Sequence, residues 1–197
     1  MEIILSTRNP SKTVQIKEVF AGSKITLLTL DEVQITGEAV ENGSTLEENA
    51  ELKARYAHDH SDGTRWAVAD DTGIFISALN GAPGVHSARW AGDVPTEEIT
   101  RYCLKRLEGA TERSAIFRTV VAAVSPEGSA RFFVGEVPGT LLSAPRVPPQ
   151  PKMPYSPLFV PDGETQVWAE MSTEHENAIS HRGKAFRKAL TFFESLL

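Results

Sequence analysis

Seven prolines fall within the seventeen residues from Pro145 to Pro161. Each removes a backbone donor and fixes φ, so neither a helix nor an inner strand survives there. Regular structure must therefore be built on either side of this stretch. Met153, Tyr155, Leu158 and Phe159 lie inside it. Apolar residues at those places suit a stiff loop docked on the body better than a solvated linker.

Outside that stretch the patterning predicts alternating strands and helices. Met1–Thr7 reads as a short buried strand, Pro10 to Phe20 as a helix and Lys24–Leu30 as a second strand. Thr45-Leu46-Glu47-Glu48 has the form of a capping box and should open a helix to about His60, with Leu46, Ala50, Lys53, Ala54 and Ala57 on one side. Trp66–Ala69 and Ile74–Leu79 read as strands flanking an acidic turn, Asp70-Asp71-Thr72-Gly73. Thr96–Leu107 reads as a helix, and Ala115–Val124 with Ala130–Leu142 as a long hairpin around Ser125-Pro126-Glu127-Gly128. Ser180 to Leu197 closes the chain as a helix.

The 197 residues suit one domain, or a tight two-lobed one. A net charge of −6 argues against a chain whose main work is gripping a nucleic-acid backbone. No apolar run approaches the roughly 20 residues of a membrane helix. Ile3-Ile4-Leu5 is too short for a signal-peptide core. The lone Cys103 allows neither an internal disulfide nor a cysteine metal site, and its apolar helix face predicts a core position. The expectation is a reduced, soluble, cytoplasmic protein.

Three short segments are candidates for chemistry. Thr7-Arg8-Asn9-Pro10-Ser11-Lys12 joins a strand to a helix, with Pro10 at the first helical position and Asn9 as N-cap. It is either a well-capped helix with a solvated lysine, or an anion site made by first-turn amides and Lys12. It lacks the glycine spacing of a P-loop. Asp70 and Asp71 are either turn residues or partners of a hard, oxygen-seeking cation such as Mg²⁺, with Glu41 as a further acidic group upstream. Ser180-His181-Arg182-Gly183-Lys184 places cations at a helix start, where the dipole disfavours them. That is either a solvated start or a ligand site. His58, His60, His86 and His175 show no ligand spacing and read as surface or packing residues.

These segments, in this order, resemble the inosine/xanthosine triphosphate pyrophosphatase family. The matching text is Leu5 to Lys12, Glu41 to Ala50 with Lys53-Ala54, Ala69 to Gly73, Ala78 to Gly92 and Asn177 to Ala185. The resemblance implies an α/β fold: a long curved mixed sheet flanked by helices, in two lobes with the nucleotide cleft between them, commonly as a homodimer. It implies hydrolysis of non-standard purine nucleoside triphosphates to the monophosphate and pyrophosphate. Carried over, Thr7, Arg8, Asn9, Pro10, Ser11 and Lys12 would hold the triphosphate, and Thr72 would touch the phosphates. Asp71 would bind Mg²⁺ and act as base, with Glu41 and Asp70 supporting the metal. His181 and Arg182 would read the purine.

One region departs from the family pattern. Where the family carries Gly-Phe-Gly-Tyr-Asp-Pro around the base, this chain has Lys152-Met153-Pro154-Tyr155-Ser156-Pro157. Met153 stands in for the stacking aromatic, Ser156 for the acid, and Glu176 for a lysine. Met153, Tyr155, Ser156 and Glu176 are thus the positions expected to line a rewritten base pocket, which leaves another base, or nucleotide binding without turnover, as alternatives.

Overall fold

The computed structural model describes all 197 residues. In chain order its elements are β1 (Glu2–Leu5), α1 (Pro10–Val19), β2 (Thr26–Thr29), α2 (Leu46–Asp59), β3 (Trp66–Ile76), β4 (Pro83–Gly84), α3 (Thr96–Arg106), β5 (Ser114–Val124), β6 (Ala130–Leu141), β7 (Phe159–Pro161), α4 (Thr173–Ile179) and α5 (His181–Glu194). The strands form one mixed sheet in the order β2-β1-β3-β5-β6-β7, with β4 added to β3. β1 pairs in parallel with both β2 and β3, whereas β4 on β3 and β7 on β6 are antiparallel. The expected α/β class with a mixed sheet and flanking helices is what forms. No helix is long and apolar enough to cross a membrane.

The acidic turn expected at Asp70–Gly73 does not exist. β3 runs unbroken through it, and Ser77–Leu79 beyond is a 3-10 turn. Aspartate is normally depleted from strands. Here both carboxylates meet cations, which offsets the cost of burying them.

The chain divides into two compact units. The first comprises Met1–Thr72, Thr119–Gly135 and Ser180–Leu197. Its inner strand β1 is buried on both faces, as a parallel strand covered by helices must be. Side chains alternate along it. Ile3 and Leu5 pack with Val68 against Ile16 of α1 and Phe186, Ala189 and Phe193 of α5. Ile4 packs with Ala67 against Ala57 of α2. One face of β1 and β3 therefore belongs to α1 and α5, and the other to α2. The glycine at 135 in β6 is required by close approach: a Cβ there would run into the His181 carbonyl and lie 2.6 Å from the Ala185 nitrogen.

The second unit comprises Gly73–Arg118 and Glu136–Ile179. Its core joins Ile74 and Ile76 of β3, Ile99, Cys103 and Leu107 of α3 and Leu141 of β6. Tyr155, Leu158 and Phe159 from the proline-rich stretch are buried in the same core, so that stretch is a docked loop. Phe117 meets Phe159 edge to face at 4.8 Å. Thr100 Oγ1 donates to the Pro154 carbonyl (2.7 Å), and the Lys152 amide donates to Thr96 Oγ1 (3.1 Å). The one strand in this stretch, β7, sits at the sheet edge, where proline is tolerated. Burial pushes the Cys103 thiol up to about 12, as suits an inert core residue. The short helix α4 was not legible in the residue pattern.

Candidate active site

The alternation of β3 builds the site. Asp70 shares the face of Val68, and so meets α1 and α5: Lys12 Nζ lies 2.8 Å and Arg182 Nε 3.4 Å from Asp70 Oδ2. Arg182 Nη1 also donates to Gln15 Oε1 (2.7 Å), a buried side chain of α1. Asp70 Oδ1 is buried with no hydrogen-bond partner. Asp71 points the other way, to α2. Lys53 Nζ reaches Asp71 Oδ1 and Glu41 Oε2, each at 3.0 Å, and Asn49 Nδ2 donates to Asp71 Oδ2 (3.3 Å).

Burial is the largest influence on each of these groups, and the neighbours reverse its direction only at Asp70 and Lys53. Burial lowers the Lys12 pKa despite the attraction of Asp70. Burial would raise Asp70, but Lys12, Arg182 and Lys53 hold it far below the usual carboxylate range. Asp71 is raised by burial, which outweighs Lys53. Burial also opposes the Lys53 ammonium, yet Asp71, Asp70 and Glu41 lift it above its ordinary value. His181 is held well below its ordinary value by burial, with Arg182 adding to the effect.

The Thr7–Lys12 segment behaves differently from either reading of it. Asn9 Oδ1 accepts from the Ser11 amide (3.1 Å) and the Lys12 amide (3.4 Å), while the Thr13 amide bonds to the Asn9 carbonyl. Pro10 has no amide hydrogen, so the cap leaves no first-turn amide uncommitted. Lys12 is not solvated but paired. What this turn offers an anion is the ammonium, whose two further donors are available in kind. Thr7 Oγ1 accepts from the Asn9 amide (3.2 Å), and the Ser11 side chain is exposed. Arg8 is a structural residue: its guanidinium donates to Asp31 Oδ1, the Ile35 carbonyl and the Gly37 carbonyl at 2.6 to 3.0 Å. It fastens the segment after β2.

The expected metal set of Glu41, Asp70 and Asp71 is divided. No three His, Cys, Asp or Glu side chains are gathered in a metal-binding group, because strand alternation sends Asp70 to the opposite face. Glu41 and Asp71 do converge on one cation, the Lys53 ammonium. Thr72, on the Asp70 face, exchanges a 2.7 Å hydrogen bond with Thr119, and Thr119 Oγ1 lies 2.6 Å from His181 Nδ1. Ser180 caps α5 by accepting from the Gly183 amide (3.0 Å).

The four base-pocket candidates belong to the second unit. Tyr155 is a core residue there: its ring is buried and its hydroxyl donates to the Ser87 carbonyl (2.8 Å), which leaves it packed rather than presented to a ligand. Met153 is half-buried, its amide bonding to the Gln150 carbonyl (3.0 Å). Ser156 is half-buried, its carbonyl accepting from the Ala169 amide (3.2 Å). Glu176 is half-buried in α4.

Lys53, Asn49, Gln15 and Thr119 were not singled out from the sequence as site residues. Lys53 carried a signal, since a lysine on the apolar side of a helix needs an anion. Asn49 lies one turn before it. Gln15 and Thr119 sit among apolar neighbours with no sequence cue to their partners.

The family model described as the Ham1 family matches residues 3–192. The chain belongs to the Ham1 family. Among similar proteins, the dITP/XTP pyrophosphatase of Thermoanaerobacter pseudethanolicus is 40% identical over 191 residues, covering 95% of this chain and 94% of that protein. The dITP/XTP pyrophosphatase of Deinococcus deserti is 41% identical over 93% of this chain and 85% of its own length. A solved HAM1 protein from Coxiella burnetii superposes with a TM-score of 0.87 at 33% identity, covering 99% of both chains.

Proposed function

We propose that this chain hydrolyses non-standard purine nucleoside triphosphates, those of inosine, deoxyinosine and xanthosine, to the monophosphate and pyrophosphate. The observation that carries the reading is the pair of carboxylates, Glu41 and Asp71, converging on Lys53 on one face of β3 while Lys12, Asp70 and Arg182 form a cationic cluster on the other. Membership of a family whose relatives are dITP/XTP pyrophosphatases supports it.

The donor set fits Mg²⁺. Two carboxylates that already meet at one ammonium offer hard oxygen ligands, and Mg²⁺ is commonly held by one or two carboxylates together with substrate phosphates and waters. Glu41 and Asp71 would hold it, and when bound it supplies charge neutralisation on the phosphates and lowers the pKa of a water. Asp70 serves instead to hold Lys12 and Arg182. Lys12 neutralises the outer phosphates, whose developing charge is the main demand of phosphoryl chemistry. Asp71, its pKa raised by burial, accepts the proton of the attacking water, and Asn49 and Lys53 keep its carboxylate oriented. His181 and Arg182 read the purine. Assembly as a homodimer in the cytoplasm is carried by the resemblance alone.

A second reading keeps this chemistry but changes the base. Met153, Ser156 and Glu176 favour it, since they stand where the family pattern has an aromatic, an acid and a lysine. A panel of nucleoside triphosphates with pyrophosphate detection, with and without EDTA, tests both. Turnover strongest on inosine or xanthosine triphosphate supports the first reading, and turnover strongest on another base the second. Release of no pyrophosphate from any of them overturns both.

A further inference from the structure

Thr119 of β5 is fully buried, and its hydroxyl is the middle of a line of polar atoms within the first unit. Asp70 Oδ2 stands 3.4 Å from Thr72 Oγ1, which stands 2.7 Å from Thr119 Oγ1, which stands 2.6 Å from His181 Nδ1. A hydroxyl has one hydrogen to give, and a carboxylate has none. Asp70 faces two cations, Lys12 and Arg182, and is therefore the ionised, accepting end of the line. With the Thr72 hydrogen given to Asp70, the rest of the line can run in only one direction. Thr72 donates to Asp70, Thr119 donates to Thr72, and the His181 Nδ1–H donates to Thr119.

We propose that Thr119 is a positioning residue that fixes His181 as the Nδ1–H tautomer, so that Nε2 carries the lone pair and favours purines with a hydrogen on N1. The second half rests on the proposed reading of His181 as a base-reading residue. A ring nitrogen's role is set by the hydrogen bond its other nitrogen makes. Hypoxanthine, xanthine and guanine carry a hydrogen on N1, whereas adenine presents a lone pair there. An accepting Nε2 pairs with the first three and faces adenine lone pair to lone pair, an arrangement with no hydrogen between the two acceptors. The reverse polarity would make Nε2 a donor and favour adenine.

The test combines a spectrum with kinetics. Long-range ¹H–¹⁵N correlation on the ligand-free protein, above neutrality so that the ring is uncharged, reports the His181 tautomer directly. Thr119→Ser keeps the hydroxyl, and the near-isosteric Thr119→Val removes it. Expected are an Nδ1–H signature in the wild type and in Thr119→Ser, and its loss in Thr119→Val. The inosine-over-adenosine ratio of kcat/KM should hold in Thr119→Ser and fall at least about tenfold in Thr119→Val, since a site built on one hydrogen bond draws its discrimination from it. An Nε2–H signature in the wild type overturns the proposal, even if Thr119→Val fails to fold. So does a Thr119→Val variant that keeps both tautomer and ratio. An Nδ1–H wild type that turns over no purine triphosphate would sink the proposed function and the selection claim together, while leaving the tautomer assignment standing on its spectrum.

Discussion

Asp70 and Asp71 are consecutive residues whose carboxylates meet different cations: Lys12 and Arg182 hold Asp70 at 2.8 and 3.4 Å, whereas Lys53 holds Asp71 at 3.0 Å. Substitutions at the two should therefore fail in different ways. Asp71→Asn should fold and lose turnover by roughly a hundredfold or more, the scale of a general base. Asp70→Asn leaves the buried Arg182 and the half-buried Lys12 without their carboxylate and should cost about 3 kcal/mol of stability or more. Urea unfolding and kcat measured on both variants check this. An Asp71→Asn variant retaining more than about a tenth of the rate would remove Asp71 from the base role.

Lys12→Ala should weaken triphosphate binding far more than monophosphate binding, because its ammonium is assigned to the outer phosphates. Calorimetry with both ligands reads the difference. Equal weakening would confine Lys12 to its pairing with Asp70.

His181 gives stability a pH dependence of definite sign. Its folded pKa lies well below 6.5, so the unfolded chain takes up a proton that the folded chain refuses. The contribution is fully present above about pH 6.5 and is lost as pH falls below it, at up to about 1.4 kcal/mol per unit. Urea midpoints should therefore fall more steeply below about pH 6.5 for the wild type than for His181→Asn. Parallel curves would mean that His181 protonates in the folded protein as easily as in the unfolded one.

Tyr155→Phe removes the hydroxyl that meets the Ser87 carbonyl at 2.8 Å. Stability should drop by about 1 to 2 kcal/mol, since a buried acceptor loses its donor. The kcat/KM of the enzyme should stay unchanged. A large kinetic effect with unaltered stability would return Tyr155 to the substrate site.

Periodicity and caps made the elements legible: Asn9 and Pro10 at the start of α1, Thr45 at the start of α2 and Ser180 at the start of α5 all act as their residue types predict. Thr45 Oγ1 accepts from the Glu48 amide as a capping box requires, and the Glu48 carboxylate accepts from the Ser44 amide. The site was legible in its charged residues but not in their pairing. Local chemistry favours a turn at Asp70–Gly73, yet long-range cations from α1, α2 and α5 keep those residues extended. Arg8 looked like a phosphate ligand because nothing local announces that the Ile35 and Gly37 carbonyls will claim it. Thr119 was invisible for the same reason, since a hydroxyl in an apolar strand acquires meaning only from the strand and helix beside it.

The alternation of β3 gives this site an address by parity. Even-numbered positions from 68 to 72 look toward α1 and α5, and odd-numbered ones toward α2. A one-residue insertion early in β3 would preserve every carboxylate and every cation of the composition, yet deliver each aspartate to the wrong side of the sheet. Exchanging the partners could not rescue it, because Lys12 and Lys53 are bolted to helices on opposite sides. Between Trp66 and Thr72, then, what is inherited is spacing as much as chemistry: substitutions there can be graded, but a frame slip of one residue is all or nothing.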